Sequence, residues 1–501
     1  MGKCCVEEYL LRKRYWIAFT MCDKIHVKAI LFIRTSIYKE KGRYSMELRR
    51  TIYQKLLDWK EENTGRVLEL EGARQVGKTY ILKKFGSENF ERMIYINMVE
   101  QSGKDFTECL EKATKWEPGQ ERDNQALKTA IKLYDKNFVD DENTVIILDE
   151  IQESSAVYNQ IRTFAREFHA YVIVTGSYLG KTLQPDFFLP AGDIDQLIME
   201  TLTFEEFLDV FGEYELYRKI DLYGADREED YKRLMEYYEV YQKIGGYPAV
   251  VVSYAQEKNL NKCYEQIRKL IDIFVNESKR YFTDIMDVNL FEKLFNAIAL
   301  LTMQEKKGVG DLTTELSKIA YQEDSGRMTK KMLNHAISWL QESHVIGYAS
   351  KAIDCDYKKI KDNSRYYFLD MGIAHYFLSR TGASWDIVKG ILAENFVYLS
   401  LRRRLLDTEE IAGIAPWFAT YEKINGELDF FVRSRMDYKN YGIEVKSADG
   451  IAKTAKALLK DGKLDYLYIL KGTTKGGKEE EKGIYTLPLC LADRMIFNLG
   501  N

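Results

Sequence analysis

Proline is scarce in this chain, 6 residues in 501, and glycine, at 32, is not enriched. A collagen-like or low-complexity disordered chain is thereby excluded. No apolar run reaches the ~18 residues that a membrane-spanning helix needs, so no membrane partner is expected. The stretch Tyr15 to Met21, though apolar and preceded by Arg12 to Arg14, lacks a small-residue cleavage site and is not read as a signal peptide. The 7 cysteines (Cys4, Cys5, Cys22, Cys109, Cys263, Cys355 and Cys490) show no zinc-ribbon or thioredoxin spacing, and the 5 histidines do not gather near them. Reduced thiols in a cytoplasmic protein are expected. Charge of one sign is also missing: 73 Lys and Arg against 77 Asp and Glu leave a formal net charge of -4, so nucleic-acid binding has no global electrostatic basis and must come from local patches.

What is present is material for several cores. Hydrophobic residues make up 46% of the chain and charged residues 30%, and 501 residues exceed the ~250 to 300 at which single cores stop growing. Residues 1 to about 45 are basic and show no clear period, whereas Met46 opens an amphipathic helical stretch, MELRRTIYQKLLDWKEE. The expectation is that Met46 is the native start and 1–45 an upstream extension. From Val67 strand and helix signals alternate (VLELEG, TYILKKFG, MIYINM, VIILDE, SSAVYNQIRTFAREF, AYVIVTGS), which predicts an α/β fold with a parallel sheet. Helical periodicity dominates 203–285, where the abundant tyrosines fall at core spacing, and predicts a helical lid over the sheet. Three helical stretches and two short strands over 286–370 predict a winged helix, and residues 371–501 return to strands after one long helix.

Residues 72–79 read GARQVGKT. This spacing lets backbone N–H groups turn onto phosphate oxygens at a helix N-terminus. Gly72, Ala73, Arg74, Gln75, Val76, Gly77, Lys78 and Thr79 are the expected ATP-binding loop, with Lys78 on the β and γ phosphates and the Thr79 hydroxyl on Mg²⁺. VIILDE reads as a doubly buried strand that delivers Asp149 to the magnesium shell and Glu150 to an attacking water. Ser177, at the end of VIVTGS, is a candidate γ-phosphate sensor, and Asn97 a candidate for holding Glu150 in an inactive pose. The glutamate argues against a kinase using the same loop.

In this order GARQVGKTY, IILDEIQ, VTGS, LTFEEFL, GGYPAVV, YFLDMGIA, LAENFVYLSL, GELDFFV and GIEVKS resemble bacterial and archaeal AAA-like P-loop ATPases that carry a C-terminal restriction-endonuclease-like domain. The resemblance runs from about residue 46 to the end. It implies a P-loop ATPase core (46–202), a helical lid (203–285), a winged-helix-like region (286–370) and a smaller α/β nuclease-like domain (371–501). Where many relatives place an arginine after a glycine, this chain has Gly192-Asp193, and neither Arg162 nor Arg166 is assigned the part of a trans-acting arginine.

The nuclease-like resemblance implies a second site, in which Asp429, Glu444 and Glu394 hold a metal and Lys446 stabilises the nucleophile or the developing phosphorane. Glu444 and Lys446 are two apart and share a strand face. Asp429, Glu444 and Lys446 are thus the candidate catalytic residues of that site. Arg327, Lys330, Lys331 and Asn334 at the start of the third helix, and the run Arg402 to Arg404, are candidate contacts to duplex or branched DNA, with a solvated helix face as the alternative. Two functions stay open: an ATP-hydrolysing protein whose nucleotide state controls DNA engagement, or a nucleotide-dependent protein-interaction module with an inactive nuclease-like domain. Homo-oligomerisation is compatible with either.

Overall fold

The computed structural model describes residues 37–40, 43–115, 125–177, 186–188, 192–281, 290–304, 316, 318 and 330–500. Most of the N-terminal extension, most of the helix expected over 311–322, Arg327 and the side chain of Lys330 lie outside the described residues. What is described of the extension is a hairpin of β1 (Ile37–Glu40) and β2 (Arg43–Met46).

The nucleotide-binding half is a parallel five-stranded sheet of β3 (Val67–Glu71), β4 (Arg92–Asn97), β5 (Thr144–Asp149), β6 (Tyr171–Thr175) and β7 (Ile194–Ile198). The strand order is β4-β5-β6-β3-β7. Central strands must be apolar on both faces because helices cover both, and every residue of β5 is buried. Val145 and Ile147 enter the core on one side, Ile146 and Leu148 the core on the other. Strand β7 is absent from the reading of the sequence. Its Asp195 and Gln196 break the apolar run, as an edge strand open to solvent allows.

Five helices (Phe204–Val210, Tyr214–Lys219, Glu228–Ile244, Pro248–Glu257 and Leu260–Tyr281) occupy the segment expected as a lid. Phe204, Phe207, Tyr238 and Tyr241 form its aromatic core, into which Phe396 of the C-terminal half also packs. After helices Leu290–Gln304 and Lys330–Glu342 come β8 (Ile346–Ile353) and β9 (Asp356–Phe368), then helices Met371–Leu378 and Trp385–Leu406. The last strands are β10 (Trp417–Tyr421), β11 (Gly426–Arg433), β12 (Asn440–Lys446), β13 (Tyr466–Lys471), β14 (Gly477–Glu479) and β15 (Ile484–Pro488).

The two strands expected as a wing are not a separate wing. β8 pairs in parallel with β10, which makes β8 and β9 one edge of an eight-stranded sheet ordered β14-β15-β13-β12-β11-β10-β8-β9. The boundary expected at residue 370 therefore falls inside a hydrogen-bonded unit.

Three of the recognisable motifs meet at one joint. Asp370 caps the helix Met371–Leu378 with one carboxylate oxygen and accepts the Gly246 N–H with the other, 2.8 Å away. The Gly246 carbonyl accepts from Leu202 N at 2.7 Å. A Cβ on Gly246 would lie 2.1 Å from the Leu202 carbonyl oxygen, so no other residue fits. LTFEEFL, GGYP and YFLDMG are thus the hinge-plates of core, lid and C-terminal half.

Candidate functional site

The ends of β3, β5 and β6 lie side by side, because Leu70 and Asp149 both pair with Thr175. This brings the residues expected at the nucleotide site to one edge of the sheet. The loop leaves β3 through Gly72 at φ +141°, where a Cβ would lie 2.1 Å from the Met199 carbonyl oxygen. It closes on the helix Lys78–Asn89, whose N-terminal dipole favours an anion. Gly72, Ala73, Arg74, Gln75, Val76 and Gly77 thus form the turn, and Lys78 and Thr79 open the helix.

The Thr79 hydroxyl donates to Asp149 Oδ2 at 2.7 Å, and Tyr95 donates to the same oxygen at 2.7 Å. Thr79 and Asp149 are oxygen donors within reach of one another, which fits a magnesium shell. Lys78 is buried, its Nζ 2.6 Å from the Gly72 carbonyl and 2.9 Å from that of Ala73, so the ammonium sits in the cradle of the loop. Burial pushes its pKa down to about 8, against the opposing charges of Glu150 and Asp149.

Glu150 begins the turn after β5 in the left-handed region, at φ 53°, a conformation that costs energy in a residue with a side chain. Its Oε2 accepts from Gln152 Nε2 at 2.6 Å and from Ser177 Oγ at 2.9 Å. Asn97 does not hold it. Its amide N–H₂ donates to Tyr95 OH at 3.3 Å and its carbonyl accepts from Val99 N. Gln152 and Ser177 are the residues bonded to the Glu150 carboxylate. Arg162 and Arg166 both pair with Asp193, at 3.2 and 3.1 Å.

A residue the sequence did not single out braces the loop. Arg50, buried, donates to the Val76 carbonyl at 2.9 Å and to the Glu200 carbonyl. Its guanidinium pairs with Glu206 at 3.2 Å, and Glu206 completes a capping box with Thr203. LTFEEFL therefore serves the phosphate loop indirectly.

In the C-terminal sheet, β11 and β12 pair Phe430 with Ile443. One step on, Asp429 and Glu444 share the opposite face, and Asp429 Oδ2 accepts from Val445 N at 2.7 Å. Glu444 pairs with Lys446, while Glu394 on helix Trp385–Leu406 accepts from the Tyr367 hydroxyl. Three residues join that the sequence reading omitted: Arg365 and Tyr367 on β9, and Glu427 on β11. Arg365 pairs with Glu427 and lies 3.7 Å from Glu394. The parity of β9 and β11 could have revealed them, but only once β9 was known to belong to this sheet.

Burial raises Glu444 to about 7, helped by the charge of Asp429 and opposed by Lys446. It raises Glu427 to about 7 against Arg365, and Glu394 upward against the same arginine. Lys446 is pulled down by burial, but the charges of Asp429 and Glu444 outweigh it and its pKa is raised. Glu444 Oε2 and Glu427 Oε2 are buried without a hydrogen-bond partner. The donor set suits a hard cation in chemistry. Yet among the described residues no three acidic, His or Cys side chains converge in a metal-holding geometry. Glu394, Asp429, Glu444 and Lys446 are brought together as a charged centre, not as a formed metal cage.

The run Arg402 to Arg404, expected to meet phosphate, is spent inside the molecule. Arg402 pairs with Glu200, Arg403 with Asp493 and Arg404 with Glu410. Arg402 thereby ties the helix Trp385–Leu406 to the segment after β7, and Arg403 and Arg404 tie it to the last part of the chain. Lys331 and Asn334 are exposed on their helix.

Residues 64–208 match the family model of an AAA domain, and residues 235–384 match a model described as a domain of unknown function, DUF8612. An uncharacterized protein of Haemophilus influenzae is 23% identical over 398 residues, which are 74% of this chain and 84% of that one. Among solved structures, a Walker-type ATPase of Pyrococcus abyssi is 15% identical at a TM-score of 0.43, covering 66% of this chain and 96% of its own. The ORC2 protein of Aeropyrum pernix is 12% identical at a TM-score of 0.35, covering 68% and 92%. The chain therefore carries an AAA-type P-loop ATPase-like domain. Among the described residues no helix is long and apolar enough to cross a membrane.

Proposed function

We propose that this protein binds and hydrolyses ATP with Mg²⁺ and that its nucleotide state controls engagement of DNA by the C-terminal half. The observation that carries the reading is the convergence of Lys78, Thr79, Asp149 and Glu150 on one sheet edge at the start of a helix. On binding, the β and γ phosphates take the place of the Gly72 and Ala73 carbonyls as partners of Lys78. Thr79 and Asp149 would hold Mg²⁺, which supplies charge neutralisation at the phosphates. Glu150 accepts the proton of the attacking water once its oxygen is released by Ser177 and Gln152. Lys78→Ala is expected to lower ATP affinity by ~100-fold or more, in keeping with loss of a charge-assisted contact. Unchanged affinity in calorimetry would refute the site.

In the C-terminal half, Asp429, Glu444 and Glu394 would hold a divalent ion for DNA cleavage, with Lys446 beside the scissile phosphate. The test is cleavage of labelled duplex and branched DNA with Mg²⁺ or Mn²⁺, with and without ATP, alongside Asp429→Ala and Lys446→Ala. Cleavage lost in both variants supports a nuclease centre, and dependence on ATP supports coupling.

A second reading has its own observation. Lys446 and Arg365 already pair with the carboxylates, and Arg402 to Arg404 are engaged internally, as suits an inactive nuclease-like domain that docks proteins. DNA affinity that falls steeply with salt favours the first reading, and absent or salt-insensitive binding the second.

A further inference from the structure

Among the described residues a side chain of the helix Leu260–Tyr281 reaches the phosphate loop. Glu277, buried on the lid helix Leu260–Tyr281, accepts from Arg74 Nη2 at 2.6 Å. The same Nη2 donates to Ser177 Oγ at 3.2 Å, and Ser177 Oγ is 2.9 Å from Glu150 Oε2. Four residues from four separate elements (lid helix, phosphate loop, the end of β6 and the turn after β5) thus form one continuous chain of hydrogen bonds.

The direction of each bond follows from its donors. Arg74 can only donate, so Ser177 must accept from it with a lone pair, and the hydroxyl proton is left to point at Glu150. Polarised by the guanidinium, that hydroxyl is a stronger donor than an isolated serine. With Gln152 donating to the same oxygen, Glu150 Oε2 is occupied by two donors and is not turned to a water molecule.

We propose that Arg74 is a positioning residue that couples the lid to Glu150: while Glu277 holds Arg74, Ser177 keeps the carboxylate parked, and withdrawal of Glu277 by lid movement frees it for the attacking water. An incoming γ phosphate acts in the same sense, because a charged oxygen outcompetes a serine hydroxyl for the guanidinium. Hydrolysis is therefore set by lid position and not by ATP binding alone. The proposal rests on the reading of Glu150 as the water-activating base.

The experiment is steady-state ATP hydrolysis by the full chain carrying Glu277→Gln, Ser177→Ala, both together, or Glu150→Gln. Glu277→Gln is expected to raise kcat about fivefold, the rate equivalent of one ordinary hydrogen bond, with KM for ATP within about twofold of the parent. The double variant should be no faster than Ser177→Ala, since both cut one chain. A merely structural ion pair would instead lower kcat or leave it unchanged, and either result overturns the coupling. Should Glu277→Gln unfold, Arg74→Lys carries the same test, because the shorter lysine side chain does not carry its nitrogen to the position of Arg74 Nη2, the one atom that serves both Glu277 and Ser177. Glu150→Gln separates the two ideas. If it hydrolyses ATP at the parent rate, the reading of Glu150 falls and the coupling with it. If it is inactive while Glu277→Gln and Arg74→Lys match the parent, the coupling alone falls.

Discussion

Lys78 is buried against two carbonyls, and burial pushes its pKa down to about 8. Phosphate is a better partner for the ammonium and raises that pKa on binding. Above pH 8 the free protein must therefore take up a proton to bind ATP, and affinity should fall ~10-fold per pH unit. Calorimetry at pH 8.5 in buffers of differing ionisation enthalpy should show that uptake, and none at pH 6.5. A second residue titrates in the same range for another reason. Glu69 is raised to about 8 by burial and then by the charge of Glu71, which pairs with His344 at 3.1 Å. Its folded pKa lies above its unfolded one, so its contribution to stability is complete below about pH 4.5 and is lost as pH rises to 8. Glu69→Gln should flatten the fall in Tm between pH 5 and 8 by about 1 °C for each kcal/mol, the shift expected of a chain this long; an unchanged slope would count against a protonated Glu69.

Elements differ in how plainly they announced themselves. The strands β5 and β6 and the phosphate loop were legible because a doubly covered strand must be largely apolar and a phosphate cradle must have glycine at fixed places, and β3 and β4 were legible from the alternation of strand and helix signals. Arg50 was not, because its partners are the Val76 carbonyl and Glu206, 156 positions away, and no local pattern marks a long-range brace. Its value can be tested: Glu206→Ala removes the capping box and leaves a buried guanidinium unpaired, which should cost about 3–5 kcal/mol and weaken ATP binding through the loosened loop. Thermal unfolding with and without ATP reads both. The charged centre was half legible. Asp429, Glu444, Lys446 and Glu394 stand on elements with clear patterns, whereas Arg365, Tyr367 and Glu427 depend on β9 joining a sheet that the sequence assigned elsewhere. Arg402 to Arg404 misled for the converse reason: a charge run reads as solvated until its acidic partners, Glu200, Asp493 and Glu410, fold onto it.

At the scale of the molecule, one apolar cluster runs without a break from Leu68 and Val145 in the nucleotide-binding sheet through Phe204 and Tyr241 of the lid to Phe396 and Tyr441 beyond. Arg494 adds a polar tie, donating to the Tyr217 and Ile220 carbonyls of the lid at 2.7 Å each. The place of β8 between β9 and β10 has a practical corollary for anyone dividing the chain. Cutting at residue 370 strips β10 of β8, one of its two partners, and bares a row of peptide groups to whatever other chains are near. A fragment of 371–501 should assemble into soluble aggregates or precipitate on expression, while one beginning near 345 should stay monodisperse in light scattering. What looks like a linker is a seam, and the smallest piece of this protein that can be handled alone begins before the motif that seemed to end the previous one.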